Sequence, residues 1–326
     1  MSLLIYGAAG YTGSMIARHA HASGLDIVLG GRDAAKLAPL AAELGVPYRV
    51  FQADTDAAMQ ALGGAQLLLN CAGPFAQTAE PLMRACIAAG VHYLDITAEI
   101  GVYRLAERLG GEAEKARVML LPGVGWDVVP TDCLAMQLAA RVVRPTALRI
   151  ALQVAGSMSR GSAISAGEIM AAGLLARVAG ELVPTPNAQP RTFDFGQGPV
   201  ACAPLSFGDL VTAWRSTGIA DIAMFVHVTG DAFPTGDLAA LPAGPSAQER
   251  AAQPARAVVE VTGADGAIVR AVIETVNGYS YTPLAAVEAA RRVLDGSARP
   301  GFETPARVFG PGFAQAIPGT RVIELA

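Results

Sequence analysis

The sequence has few charged residues and almost no lysine. Charged side chains make up 16% of the 326 residues, and Lys36 and Lys115 are the only lysines. The formal net charge is -4 and no basic run occurs, so the charge pattern of a nucleic-acid-binding protein is missing. We therefore expect a small-molecule substrate and no nucleic-acid partner.

Cysteine and long apolar runs are also scarce. Cys71, Cys86, Cys133 and Cys202 are far apart and form no metal-binding pattern, so we expect reduced, buried thiols and no metal site. The longest stretch without a charged side chain, residues 57–79, contains amides, glycines and a proline, so it is too polar for a spanning helix. The N-terminus lacks the basic start of a signal peptide. We expect a cytoplasmic protein without stable membrane insertion.

The organisation of the chain changes near its middle. The first part alternates short apolar runs with alanine-rich helical segments, which is typical of βαβ units and a parallel sheet. From about Leu148 the runs resemble antiparallel strands, and a glycine-rich turn over residues 263–266 predicts a hairpin. The proline- and glycine-rich residues 184–204 predict a long loop.

This pattern predicts an α/β fold: a Rossmann domain with a doubly wound parallel sheet, plus an α+β domain with a mostly antiparallel sheet. The expected bounds are residues 1–130 for the Rossmann domain and 131–280 for a substrate or dimerisation domain. Residues 281–326 are expected to form a C-terminal helix and tail that return to the Rossmann domain. An exposed face of the second sheet is the expected interface of a homodimer.

A glycine-rich loop follows the first predicted strand and opens the first predicted helix. Gly7 permits the tight turn, Gly10 lets the backbone approach a pyrophosphate, and Gly13 lets the helix pack on the sheet. The helix then directs its amides and the positive end of its dipole at the phosphates. The spacing is G-x-x-G-x-x-G, a variant of the dinucleotide fingerprint. The predicted cofactor-binding residues of this loop are Gly7, Ala9, Gly10, Tyr11, Thr12 and Gly13.

The end of the second predicted strand indicates which dinucleotide binds. Arg32 stands where an NAD site has an acidic residue that bonds the ribose 2′-hydroxyl. A guanidinium at this position can pair with a 2′-phosphate, and Lys36 can add positive charge one turn later. We interpret Asp33 as the cap of the next helix. The predicted cofactor is therefore NADP, bound by Arg32 and Lys36.

The loop after the fourth predicted strand is a second candidate for cofactor contact. Loops at the carboxyl ends of parallel strands line the ligand crevice of this topology. Ala72, Gly73, Pro74 and Phe75 are therefore predicted to bind the cofactor. The alternative is a plain turn with a buried Phe75.

Together these segments resemble the saccharopine dehydrogenase-like NADP-binding oxidoreductase family, including its trans-acting enoyl reductase branch. The resemblance rests on the glycine loop, Gly31-Arg32, residues 72–75 and residues 92–99, and it extends to segments 123–132, 159–162 and 303–310. It implies the fold, NADP(H) and hydride transfer to a C=N or C=C group. Val128 stands where the family has a serine, so a serine contact to substrate is lost if the family uses one.

Three residues are candidates for catalysis. Asp127 follows the sixth predicted strand, where the nicotinamide should reach, and its alternative role is to stabilise a turn. Tyr279 offers a neutral proton donor, and Arg160 can bind an anionic group of the substrate. Their alternatives are a core tyrosine and a solvated arginine. Asp95 and Glu99 could line the crevice, although Glu99 could also simply favour the start of the next helix.

Two other mechanisms are disfavoured. The Tyr-x-x-x-Lys pair of short-chain reductases is absent, since the residues four before the two lysines are Arg32 and Gly111. Cys133 lies inside a predicted helix, where a nucleophilic thiol is not expected. Thr131 or Asp132 is expected to cap that helix. The alternative for Asp132 is a site residue beside Asp127. We predict an NADPH-dependent reductase of an imine or enoyl group, and the alternative is a non-enzymatic NADP(H)-binding sensor or regulator.

Overall fold

The computed structural model describes residues 2–171, 173–229 and 241–325. The chain divides into two compact units. The first consists of Met1–Gly125 and Thr282–Glu303, and the second of Trp126–Tyr281 and Thr304–Ala326.

The elements alternate regularly in the first unit and irregularly in the second. The strands are β1 (Ser2–Tyr6), β2 (Ile27–Gly31), β3 (Tyr48–Val50), β4 (Ala65–Asn70), β5 (His92–Asp95), β6 (Met119–Leu121), β7 (Pro145–Ala155), β8 (Leu175–Val178), β9 (Glu181–Pro184), β10 (Arg191–Asp194), β11 (Pro199–Pro204), β12 (Asp221–Thr229), β13 (Ala255–Gly263), β14 (Ile268–Thr275), β15 (Gly301–Phe302) and β16 (Arg321–Glu324). The α-helices are α1 (Tyr11–Ala22), α2 (Ala34–Leu44), α3 (Thr55–Ala61), α4 (Phe75–Ala89), α5 (Ile100–Lys115), α6 (Val129–Ala139), α7 (Arg160–Ala171), α8 (Asp209–Thr217), α9 (Ala247–Ala252), α10 (Gly278–Arg292) and α11 (Pro305–Phe309).

The first unit is built on a parallel sheet of seven strands. Its order is β15-β6-β5-β4-β1-β2-β3, and all neighbours run in parallel. The order runs outward from β1 in both directions, as in a doubly wound fold. Strands of such a sheet are covered on both faces and read as continuous apolar runs, which explains the fully buried Leu67, Leu68 and Leu69 of β4. The predicted Rossmann sheet is confirmed.

The second unit contains a mixed sheet of nine strands. Its main order is β10-β11-β12-β7-β13-β14-β16, and β8 pairs with β12 and β9 beside this path. Among the described strands of this second sheet, only β7 and β12 pair in parallel, and the other pairs are antiparallel. The mostly antiparallel second sheet predicted from the sequence is confirmed. The predicted hairpin corresponds to β13 and β14.

The expectation of a long loop over residues 184–204 is wrong. β10 and β11 pair there as a hairpin, and the Asp194 carboxylate accepts the amides of its turn. Phe193 packs on Phe225 with ring centroids 5.1 Å apart, and Arg191 reaches Glu260 at 2.6 Å. These two strands are short, and residues typical of turns flank them. The composition of the segment therefore predicts a loop and does not reveal the contacts with residues distant in the sequence.

The C-terminal tail also differs from expectation beyond Glu303. β15 pairs with β6 in the first sheet, but the chain from Thr304 onward belongs to the second unit. There β16 pairs with β14 in the second sheet. An edge strand presents unpaired backbone groups, and β16 supplies hydrogen-bond partners for those of β14.

The expected capping role of Asp132 is wrong. The residue at the N-cap of α6 is Val128, and no side chain caps that helix. Asp132 is fully buried, and its Oδ2 instead accepts the amide of Ala306 in the first turn of α11 at 2.9 Å. A carboxylate is favourable at a helix N-terminus, so Asp132 fastens the tail to α6.

A second buried carboxyl lies nearby at the start of α8. Asp209 is fully buried, and among the described residues neither of its carboxyl oxygens has a hydrogen-bond partner of good geometry. Burial raises the pKa of Asp209 well above its usual range, and the negative charges of Asp132 and Asp127 raise it further. The folded chain therefore holds a proton on Asp209 more tightly than the unfolded chain does.

The tighter proton binding of Asp209 in the folded chain predicts how stability depends on pH. Because the folded-state pKa is raised, the free energy of unfolding should fall as pH rises above the ordinary aspartate pKa of about 3.9. The contribution of this carboxyl to the free energy of unfolding should decrease by up to about 1.4 kcal/mol per pH unit until the pH passes the folded-state pKa. Asp209→Asn should remove this pH dependence, so the stability of this variant relative to the unaltered chain should increase as the pH rises above about 4. Urea unfolding across this range measures the difference.

Asp56→Asn is the matched control, because Asp56 is exposed on α3. Its stability should keep the pH dependence of the unaltered chain. If the free energy of unfolding of Asp209→Asn changed with pH in parallel with that of the unaltered chain, the buried carboxyl would not contribute to the pH dependence of stability.

Candidate functional site

The glycine loop between β1 and α1 is too tightly packed for side chains at two positions. A Cβ atom on Gly7, whose φ is +80°, would lie 2.8 Å from the amide nitrogen of Ala72. A Cβ on Gly13 would lie 2.2 Å from the carbonyl oxygen of Gly7. Gly10 is exposed at the N-cap of α1. The loop therefore brings bare backbone to the carboxyl edge of the sheet.

The N-terminus of α1 differs from those of the next two helices. The carboxylate of Asp33 accepts the amide of Ala35 at 3.0 Å, which confirms its predicted capping role on α2. Asp54 likewise accepts the amide of Ala57 at 2.8 Å on α3. Gly10 provides no capping side chain for α1, and no acidic residue lies in its first turn. Because first-turn amides lack partners within the helix, this end is suited to a phosphate.

Arg32 lies directly after β2 and is exposed. Within residues 2–171, 173–229 and 241–325, no hydrogen bond or ion pair to its guanidinium is present. Lys36 lies on the first turn of α2 with its side chain 74% exposed, and its Nζ is 3.5 Å from Asp33. Arg32 is thus a positive group that its own domain does not neutralise, as a phosphate-binding residue requires.

The predicted cofactor loop after β4 is held from several sides. Asn70 Oδ1 accepts the amide of Ala72 at 3.0 Å, and the Thr78 hydroxyl donates to the Ala72 carbonyl at 2.7 Å. Gly73 is exposed at the tip of the loop, and Pro74 is half-buried at the N-cap of α4. Ala72 therefore lies beside Gly7 of the glycine loop on a fixed backbone, and Gly73 and Pro74 follow it.

Phe75 differs from these three neighbours. Its side chain is 7% exposed and belongs to the buried face of α4. Its amide donates to Glu99 Oε1 at 2.9 Å, and the amide of Ala76 donates to Oε2 at 2.7 Å. The Phe75 side chain thus packs in the core, and only its buried position is shared with the plain-turn alternative.

A buried polar network connects the ends of β4, β5 and β6. The Asn70 side-chain amide donates to the Tyr93 hydroxyl at 3.2 Å, and that hydroxyl donates to Asp95 Oδ2 at 2.9 Å. Asp95 Oδ1 accepts the amides of Thr97 and Gly123 at 3.0 and 2.9 Å. Burial raises the pKa of Asp95 to about 7, although these hydrogen bonds oppose the increase.

The sequence placed Asp95 and Glu99 at the correct edge of the sheet but did not reveal their partners. Asp95 faces the strand ends, and Glu99 reaches the first turn of α4, which begins 24 residues earlier in the chain. Pro74 precedes α4 and has no side-chain oxygen that could cap the helix. This absence is the signal that the capping group comes from elsewhere in the chain.

Asp127 is the first of the catalytic candidates in the second unit. It is half-buried and directly follows Trp126, whose indole nitrogen donates to Thr275 Oγ1 at 2.9 Å. Burial raises the pKa of Asp127 to about 6. At neutral pH a measurable fraction of this carboxyl therefore carries a proton.

Tyr279 and Arg160 lie near each other in the second unit. Tyr279 is half-buried on the first turn of α10, and its hydroxyl donates to Ser162 Oγ at 2.8 Å and accepts the amide of Ser159 at 2.8 Å. Arg160 is exposed, and its guanidinium donates to the carbonyl of Leu241 at 2.5 Å. The structure thus joins Tyr279 to the Ser159–Ser162 segment that precedes and opens α7.

The described ranges contain neither a metal-binding cluster nor a membrane-spanning helix. No group of three or more histidine, cysteine, aspartate or glutamate side chains there could hold a metal ion. No helix within those ranges is both long and apolar enough to cross a membrane. All four cysteines are free, and only Cys71 is not fully buried.

The buried network predicts the effect of a single hydroxyl. Tyr93→Phe leaves one oxygen of Asp95 and the side-chain amide of Asn70 with one partner fewer each. We expect the free energy of unfolding to fall by about 1–3 kcal/mol, the usual cost of an unpaired buried polar group. Urea denaturation measures this loss. Tyr48→Phe, at a tyrosine that is 42% exposed, is the control and should leave stability unchanged. Equal stabilities of the two variants would exclude the network as a stabilising feature.

Comparison with known families supports the assignment of the first unit. Residues 3–121 match the family model described as saccharopine dehydrogenase NADP binding domain. A trans-acting enoyl reductase of Mycobacterium leprae is 33% identical over 152 residues, which cover 43% of this chain and 36% of that protein. A protein of the same description from Mycobacterium tuberculosis is 30% identical over 150 residues. The matched part of the chain thus spans about a third of the length of these curated relatives.

Solved structures show the fold of the whole chain. Apo saccharopine dehydrogenase (L-Glu forming) from Saccharomyces cerevisiae matches with a TM-score of 0.67 at 12% identity, covering 100% of both chains. A probable dehydrogenase from Thermotoga maritima matches with a TM-score of 0.51 at 12% identity, covering 99% of this chain and 98% of that one. The predicted resemblance is therefore confirmed: residues 3–121 match a saccharopine dehydrogenase NADP binding domain, and the chain has the same fold as the yeast saccharopine dehydrogenase.

Proposed function

We propose that the protein is an NADP(H)-dependent oxidoreductase that reduces a C=N or C=C group, an imine or an enoyl group, of a small substrate. The observation that carries the cofactor preference is Arg32, an exposed guanidinium without a described partner directly after β2. The curated relatives named as trans-acting enoyl reductases support the reaction class.

The residues of the first unit would bind the dinucleotide. The first-turn amides of α1 would hold the pyrophosphate, since Gly10 gives that end no capping side chain. Arg32 would pair with the 2′-phosphate, and Lys36 would add positive charge nearby. Gly7 and Gly13 would keep the loop close to the strand ends, where Ala72 borders it, and Gly73 and Pro74 would contact the cofactor beside Ala72.

Residues of the second unit would donate the proton that the reduction consumes. When bound, the nicotinamide supplies or accepts a hydride, and reduction of C=N or C=C also consumes one proton. Asp127 would donate it, because its pKa of about 6 keeps part of the carboxyl protonated near neutral pH. Tyr279 is the second proposed donor, with Ser162 as its hydrogen-bond partner. Arg160 would attract an anionic group of the substrate.

The assembly and location expected from the sequence stay predictions. We propose a homodimer through an exposed face of the second sheet and a cytoplasmic location. A non-enzymatic NADP(H)-binding role is the alternative, and it differs from the proposed function in one outcome: cofactor binding without turnover.

The proposed 2′-phosphate contact predicts a change in cofactor preference. Arg32→Asp replaces a positive group with a negative one, so NADPH binding should weaken by about 2–3 kcal/mol, or roughly 30- to 150-fold in Kd. NADH, which lacks the phosphate, should bind this variant as well as it binds the unaltered chain, or better. Fluorescence titration with both dinucleotides measures the two Kd values.

Arg104→Asp makes the same charge change at an exposed position on α5 and controls for the overall field of the protein. It should leave the NADPH Kd within about twofold of the unaltered value. An unchanged NADPH Kd in Arg32→Asp would remove Arg32 from the cofactor site.

The proposed proton donors predict which step fails when they are replaced. NADPH oxidation should be followed by stopped-flow absorbance with a panel of imines, enones and enoyl thioesters. Where the unaltered chain turns over, Asp127→Asn or Tyr279→Phe should lower kcat by about 10²–10⁴-fold while the NADPH Kd is unchanged. Tyr48→Phe is the control. Tight NADPH binding without turnover of any substrate class would favour the sensor.

A further inference from the structure

We infer that Glu99 is a positioning residue of the dinucleotide site: its carboxylate acts as a built-in anion that caps α4 and thereby fixes the loop bordering the glycine loop. The inference rests on the proposed function, because it concerns the same cofactor site.

The geometry of the cap is bidentate. Glu99 Oε1 accepts the amide of Phe75 at 2.9 Å and Oε2 accepts the amide of Ala76 at 2.7 Å. Glu99 is 4% exposed, so water competes little for these bonds. Pro74 occupies the N-cap of α4 and offers no capping oxygen. Two amides that the helix cannot satisfy are thus bound by one carboxylate from the next βα connection.

Glu99 itself is held in place. Its amide donates to Thr97 Oγ1 at 3.0 Å, and its carbonyl accepts the amide of Val102 at 2.9 Å in the first turn of α5. Thr97 in turn donates its own amide to Asp95 Oδ1 at 3.0 Å. The carboxylate is therefore presented from a backbone segment that is anchored to the end of β5.

The cap bears on the cofactor site through a short loop. Residues 71–74 connect β4 to α4, and Ala72 packs against the glycine loop, where Gly7 has no room for a Cβ. Asn70 and Thr78 fix Ala72 from one end of the loop. Glu99 fixes Phe75 and Ala76 at the other end. Between the two anchors lies Gly73, the exposed residue of the loop.

The same cap has an electrostatic consequence. An uncapped helix N-terminus attracts anions, and α1 and α4 both begin at the carboxyl edge of the same sheet. With Glu99 in place, the positive end of α4 already holds a negative charge. The N-terminus of α1 then stays the favoured position for the pyrophosphate, and the phosphates are not drawn towards α4.

The test compares Glu99→Ala with Glu99→Gln. Alanine removes both acceptors, whereas glutamine keeps one acceptor oxygen in nearly the same shape. We expect the NADPH Kd, measured by fluorescence titration of the full chain, to rise about tenfold in Glu99→Ala and about two- to threefold in Glu99→Gln. Hydrogen–deuterium exchange should show faster exchange at the amides of Phe75 and Ala76 in the alanine variant.

Leu109→Ala is the matched control for a purely structural effect. Leu109 is 3% exposed in the third turn of α5 and lies outside the loop, so its loss should lower the unfolding temperature without changing the Kd of the folded protein. If Glu99→Ala does not fold, the Kd of Glu99→Gln decides: an increase supports the inference and an unchanged value overturns it.

The outcomes separate this inference from the proposed function. If the unaltered chain binds no dinucleotide, the proposed function fails. If the unaltered chain binds NADPH and the folded Glu99→Ala variant binds it with the same Kd, the proposed function stands and the positioning role of Glu99 is wrong.

Discussion

The structure of the first unit depends on how the unsatisfied amides at the helix N-termini find acceptors. Asp33 and Asp54 cap α2 and α3 from within their own connections, and Glu99 caps α4 from the neighbouring one. Gly10 leaves α1 without a capping side chain. Since a helix N-terminus attracts negative charge, we propose that this end of α1 receives the anion of a ligand.

The features that follow from local sequence could be predicted. The alternation of apolar runs and helical segments predicts the parallel sheet, the glycine loop predicts the turn into α1, and Asp33 is recognisable as a cap because it precedes its helix. Arg32 could be placed because it immediately follows a strand. In each of these cases the signal lies in the residues that form the element or stand next to it.

The features that rest on distant contacts could not be predicted. Glu99 binds a helix that begins 24 residues earlier, and Asp132 binds the amide of Ala306, 174 residues later. Glu99 and Asp132 are acidic residues at the start of a helix, and a residue that caps its own helix has the same chemistry and position. The sequence therefore indicates that a capping carboxylate is present but not which helix receives it. The same limit explains why β16 could not be assigned to the second sheet.

The most direct test of the account is to titrate the unaltered chain with NADPH and NADH at equal ionic strength. A bound dinucleotide should engage the α1 amides through its pyrophosphate in both cases, and only NADPH can also engage Arg32. We expect both to bind, with NADPH at least about tenfold tighter and with a preference that shrinks as salt is added. Binding of neither dinucleotide, or tighter binding of NADH, would contradict the account.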